Sequence, residues 1–161
     1  VTLQVTRERF SAATTQAAFF EVVRDLVVST FSILRHTPVR ALGINRDAHF
    51  RVSTVDQWHA VGDRLAPKDA WKQVMEDPGL RSLILHSPRS GSHRGSLQVQ
   101  LQPSARIDPG IFCTINDHYE VDEDRGKIGC EDLTSILRDR WEDSMQRSKR
   151  IILSMIEESR R

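Results

Sequence analysis

The chain has 161 residues, of which 39% are hydrophobic and 28% charged. That mix builds a core and excludes a disordered chain. Lys and Arg number 23 against 22 Asp and Glu, for a formal net charge of +1, so the basic excess of a nucleic-acid binder is absent. Its apolar runs are a few residues long, which excludes a membrane-spanning helix of roughly 20 apolar residues.

No charged-then-apolar leader is read at the start, although the chain begins at Val1, which leaves its native start open. Two cysteines, Cys113 and Cys130, are too few for a disulfide framework and read as reduced thiols. Together these features point to a soluble protein of the cytoplasm.

Residues 1–6 alternate, with Val1, Leu3 and Val5 on one face and Thr2, Gln4 and Thr6 on the other. This period of two predicts a half-buried strand. From Thr14 or Thr15 the period changes: Phe20, Val23, Val27, Phe31 and Leu34 step by three or four and form one stripe. Val22, Leu26 and Ile33 widen it, and few charges interrupt it, so this helix is expected to be buried around most of its circumference. Pro38 closes it.

A second strand spans 39–52, with Leu42, Ile44, Phe50 and Val52 in one phase. Asn45-Arg46-Asp47 interrupts the apolar run as a bulge, a bend or an exposed strand segment. Thr54 and Gln57 have capping-box spacing, which predicts a short helix over 55–62. Pro67 opens a second short helix carrying Trp71, Val74 and Met75, and Asp77-Pro78-Gly79 ends it as a turn.

Leu80–His86 reads as a strand. The polar, glycine-rich stretch 87–96 follows as a hairpin loop. Leu97, Val99 and Leu101 alternate with Gln98, Gln100 and Gln102, the clearest strand pattern in the chain. At Asp108-Pro109-Gly110, proline fixes φ and glycine permits positive φ, which predicts a turn. Ile111, Cys113, Ile115, Tyr119 and Val121 then alternate with Phe112, Thr114, Asn116, His118 and Glu120. A final helix over 131–159 carries the stripe Leu133, Leu137, Trp141, Met145, Ile152 and Ile156, with enough charge to leave one side in water.

The expected fold is α+β, with residues 1–161 as a single domain. It is a two-layer sandwich: a mainly antiparallel sheet of about five strands, with two long helices packed on one face. Two short helices lie between the second and third strands.

Catalytic signatures are missing: there is no G-x-G-x-x-G, phosphate loop, G-x-S-x-G, H-E-x-x-H or C-x-x-C. The chain therefore leans away from an enzyme, and no cofactor, metal or catalytic residue is assigned. The densest polar cluster is Asn116-Asp117-His118-Tyr119-Glu120. Asp117 falls on the apolar phase, where a carboxylate must lie beyond the core, be paired, or be functional. The first of these, an already exposed strand end, is the expectation.

Ile44-Asn45 with His49-Phe50 echoes Ile115-Asn116 with His118-Tyr119. If the two strands neighbour each other, Asn45 and Asn116, or His49 and His118, come close and line a polar pocket. Gln98, Gln100 and Gln102, with Thr114, Asn116 and His118 on the next strand, would form an open polar sheet face. Arg89, His93 and Arg94 are candidates to grip a phosphate or an acidic partner. Arg147, Lys149 and Arg150 could touch nucleic acid, but Glu142, Asp143, Glu157 and Glu158 dilute their field. Cys130 precedes a helix, whose dipole could lower its pKa, but the sequence places no histidine beside it and an inert thiol is expected.

The leading expectation is a non-catalytic interaction module whose partner is itself, as a homodimer, using Asn45, His49, Gln98, Gln100, Asn116 and His118. The alternative is a small-molecule binder or enzyme with its pocket at the sheet edge, near Asn45, Asn116 and His118. Nucleic acid is an unlikely partner and a membrane is not expected.

Overall fold

The computed structural model describes residues 1–89, 93–121 and 129–160. In chain order the elements are β1 (Thr2–Val5), β2 (Phe10–Ala13), α1 (Phe20–Ile33), β3 (Ala41–Arg51) and α2 (Val55–Leu65). They continue as β4 (Leu83–Arg89), β5 (Gly95–Pro103), β6 (Gly110–Glu120) and α3 (Glu131–Glu158). The chain divides into two compact units, Val1–Leu42 with Tyr119–Glu142, and Gly43–His118 with Asp143–Arg161.

In the first unit, β1 pairs antiparallel with β2, from Thr2 opposite Ala13 to Val5 opposite Phe10. A turn closed by Thr6 N–H donating to Arg9 O (2.8 Å) joins them. The first strand thus belongs to a separate two-stranded sheet and not to the main one. All four of its residues are exposed, so the expected half-burial fails. The helix α1 also departs from expectation. Val23 and Phe31 are buried, with Phe10 edge-on to Phe31 at 5.3 Å. Val22 and Leu34, however, are about half exposed and Ile33 is 82% exposed. The first half of α3 supplies buried Leu133, Ile136, Leu137 and Trp141.

The second unit is built on the four-stranded sheet, in the order β3-β6-β5-β4. It has four strands rather than five because β1 lies elsewhere. β3 is continuous over eleven residues, so Asn45-Arg46-Asp47 is a strand segment and not a bulge, with Asn45 and Asp47 exposed and Arg46 half-buried. The core gathers Phe50, Val52, Leu101, Ile111, Cys113 and Ile115 from the sheet, with Val61 from α2. Trp58 and Leu65 of α2, and Ile151, Ile152, Met155 and Ile156 of α3, pack against it. The cover on this face is therefore α2 and the second half of α3, where two long helices were expected.

Local chemistry explains α2. Thr54 is its N-cap, its hydroxyl accepting from Gln57 N–H at 3.1 Å, which satisfies one of the orphan donors of the first turn. At the far end, Arg64 donates to the Glu158 carboxylate and backbone oxygen, both at 2.7 Å, tying α2 to α3. The second short helix does not form. Residues 68–75 make successive turns instead, and Trp71, Val74 and Met75 are exposed. Without a packed face, so short a segment does not repay helix nucleation.

The β5–β6 connection turns at Asp108-Pro109-Gly110 as expected, for a different reason. Gly110 has no positive φ. A Cβ there would stand 2.6 Å from Ile107 O, so glycine serves a close backbone approach. Ser104 Oγ holds the turn by accepting from Arg106 N–H (3.1 Å) and Ile107 N–H (3.0 Å).

Candidate functional site

Two backbone bonds frame the β3–β6 pair: Val52 N–H donates to Pro109 O (3.1 Å) and Val121 N–H to Arg40 O (3.0 Å). They share one antiparallel register, which sets Asn45 opposite Asn116 and His49 opposite Phe112. The side chains agree with it. Both Asn amides lie within 4 Å of the place a Cβ on Gly43 would occupy. The His49 ring stacks on Phe112 at 4.6 Å, tilted by 30°. His49 and His118 are not brought together, because that register puts His118 opposite Gly43. The echo between the two strands therefore has a geometric counterpart at the asparagines and none at the histidines.

On β5, Gln100 Nε2 donates to Gln102 Oε1 (3.0 Å) and to Ser82 Oγ (3.2 Å). Gln98 shares this face by strand alternation. His49 Nδ1 bonds Ser104 Oγ at 2.8 Å. Among the described residues, none on this outer face from 43 to 51, 96 to 102 or 112 to 118 is buried, and Asn45 and Asp47 are exposed. The Oδ1 of Asn116 is nonetheless shielded from solvent and has no hydrogen-bond partner.

The opposite, helix-covered face holds the buried carboxylate. Asp117 is 1% exposed, so it does not sit at an open strand end. Its Oδ1 accepts from Arg89 Nη2 of β4, and its Oδ2 accepts from Arg147 Nη1 of α3 at 2.6 Å. One carboxylate thus pins an edge strand, a central strand and a helix. Such a pair contributes more to uniqueness of packing than to net stability, but losing one partner is costly.

Arg89 ends β4 in the phase of Leu83 and Leu85 and is directed inward, so it is not a loop cation. His93 and Arg94 lie just beyond residues 90–92, which are outside the described residues. Arg147 is engaged by Asp117, which removes it from the basic surface proposed for nucleic acid. Nearby, Arg46 of β3 donates to Met145 O of α3 at 3.3 Å.

The Asp117 arrangement had a signal in the sequence. A carboxylate on an apolar strand phase demands a cation, and Arg147 falls between buried Ser144 and Ser148 on the inward side of α3. Asp117 and His118 point to opposite faces, which separates them as co-ligands. Among the described residues no group of His, Cys, Asp and Glu has metal-binding geometry.

Neither thiol is primed for chemistry. Burial pushes Cys113 up to about 11, with the Asp47 charge adding to it. Cys130 is also raised, chiefly by burial. Its Sγ donates to Phe31 O in the last turn of α1 at 3.2 Å, with Leu34 O and Arg35 O just past the helix as alternative acceptors at 3.5 Å. The thiol thus serves the open Phe31 acceptor in the last turn of α1, and no lowering by the α3 dipole is found.

No protein-family model, curated protein or solved structure matches the chain. No helix among the described residues is long and apolar enough to cross a membrane.

Proposed function

We propose that the chain is a non-catalytic interaction module of the cytoplasm that pairs with a second copy of itself through the outer face of its four-stranded sheet. The observation that carries this reading is the chemistry of that face. In a chain with 28% charged residues, its described strand positions hold two carboxylates, Asp47 and Glu120 at the end of β6, and one guanidinium, Arg51; Asn, Gln, Ser, Thr and His supply the other polar side chains. Amides donate and accept together, so a row of them complements a two-fold copy of itself.

The free edge at β4 is a poorer docking surface. By the alternation of the β4–β5 and β5–β6 ladders, the backbone of Pro88 faces outward. It offers no N–H there, which blunts an edge against further pairing.

Sedimentation equilibrium tests the reading. The expected result is a mass of two chains, shifting toward one in Gln100→Glu, whose new charges would face each other across the axis; the dissociation constant should rise about tenfold or more. A one-chain mass at about 100 µM, a range that captures dimers of ordinary affinity, or an unchanged profile for Gln100→Glu, would overturn it.

A further inference from the structure

A cleft of about 120 Å³ opens between α2 and the sheet of the second unit. Trp58 and Leu65 of α2, Leu101 of β5, Ile111 of β6 and Leu80 make its apolar walls. Lys68 also lines it, and its side chain is only 13% exposed. An ammonium beside an apolar wall is an unusual pairing, since buried lysines need a counter-charge. Here the counter-charge is Asp63, whose side chain is 60% exposed. Its hydrogen bond from Lys68 holds the Asp63 carboxyl below its ordinary range.

Gly62 supplies a second, independent observation. It sits inside α2, where glycine is the poorest helix former after proline. Its backbone does not call for glycine: its φ is not positive. A Cβ would meet only Leu80 Cβ at 3.6 Å and Lys68 Nζ at 3.8 Å, both ordinary contacts. The missing side chain therefore leaves open the floor of the cleft, directly beneath the ammonium.

We infer that this cleft binds a small monocarboxylate with an apolar body, its chain among Trp58, Leu65, Leu80 and Ile111 and its carboxylate on Lys68 in place of Asp63. Size supports the class, since an apolar cavity of about 150 Å³ accepts a benzene ring and this one takes a body of about six carbons. Asp63 keeps 60% of its side chain in water, so it regains hydration when a ligand carboxylate takes its place on the ammonium. Inside the cleft, Trp58 is fixed by its Nε1–H donating to Gly110 O at 3.0 Å, so the wall is preformed.

The test titrates the full chain with hexanoate, hexan-1-ol and hexylammonium at pH 7, by ligand-observed NMR and calorimetry. Hexanoate should bind about fivefold or more tighter than the other two. Lys68→Met should bring hexanoate down to the affinity of hexan-1-ol, and Asp63→Asn should strengthen hexanoate by removing its competitor. Gly62→Leu should abolish binding of all three. Asp63 is exposed and Lys68→Met keeps an unbranched side chain of similar length, so those two variants report even if Gly62→Leu fails to fold. Absence of hexanoate binding at millimolar concentration, equal affinity for the three probes, or a carboxylate preference that survives Lys68→Met would overturn the inference.

Discussion

Val1, Leu3 and Val5 of the β1 region alternate as regularly as Leu97, Val99 and Leu101 of β5, yet Val5 is 70% exposed while Leu101 is buried. The difference lies in what stands opposite each row. The β5 row faces α2 and the second half of α3, which close over it. The β1 row has a four-residue partner strand beside it, and among the described residues nothing closes over Val1, Leu3 and Val5, each of them more than half exposed; a two-stranded sheet supplies no second layer of its own. On the covered face even a carboxylate is buried, at Asp117; on the hairpin even valine is not. Alternation reports which side chains share a face, and cover decides their environment.

That comparison is broken most directly at Asp117. Asp117→Asn should cost about 3 kcal/mol or more, because two guanidinia, from Arg89 and Arg147, lose the charge between them. Urea unfolding of the variant checks this. Replacing all three residues together, with leucine at 117 and methionine at 89 and 147, should recover most of the loss, since an apolar set of similar volume needs no counter-charge. If Asp117→Asn costs less than about 1 kcal/mol, the range of an exposed ion pair, the covered face is wetter than its burial implies.

How much was legible follows from the same distinction. The strand phases of β3, β5 and β6, the Thr54 cap and the stripe of α3 follow from local spacing, and each holds. The open polar face also follows, because Gln98, Gln100, Gln102, Thr114, Asn116 and His118 share a phase opposite the core. The separate β1–β2 sheet does not: Phe10–Ala13 offers no clean alternation, and nothing local says that the chain folds back after Thr6. The exposure of α1 was hidden for a related reason. Its stripe exceeds what its own unit buries, and hydrophobic spacing carries no information about how much cover exists. The Arg89–Asp117–Arg147 contact joins residues 28 and 30 positions apart. It required knowing that β4, β6 and α3 meet.

The two thiols sharpen the contrast through pH. The native Cys113 thiol titrates near 11 against an ordinary 9.0. Between those values the unfolded chain gives up its proton while the native chain keeps it. Stability from this group is therefore complete below about pH 9 and is lost as pH rises toward 11, by up to about 3 kcal/mol. Cys113→Val should flatten that alkaline decline, so melts of the parent and the variant diverge between pH 9 and 11. Parallel curves would mean that the core of the second unit admits the thiolate. Cys130 is shifted in the same direction, so Cys130→Val should flatten the decline in the same sense.

The smallest effect is expected where the pattern looked strongest. Val5→Thr keeps a β-branched side chain and its strand preference and removes an apolar group that water already reaches. Its cost should fall within about 0.5 kcal/mol, the ordinary range of surface substitutions. A loss well above 1 kcal/mol would require the Val1, Leu3 and Val5 row to be covered in solution. A second molecule doing so would leave its own mark, because stability gained from a partner rises with protein concentration. Melts of Val5→Thr and the parent at two concentrations a hundredfold apart separate the cases. A constant small difference keeps the hairpin bare, whereas a difference that grows with concentration assigns its apolar row to an interface.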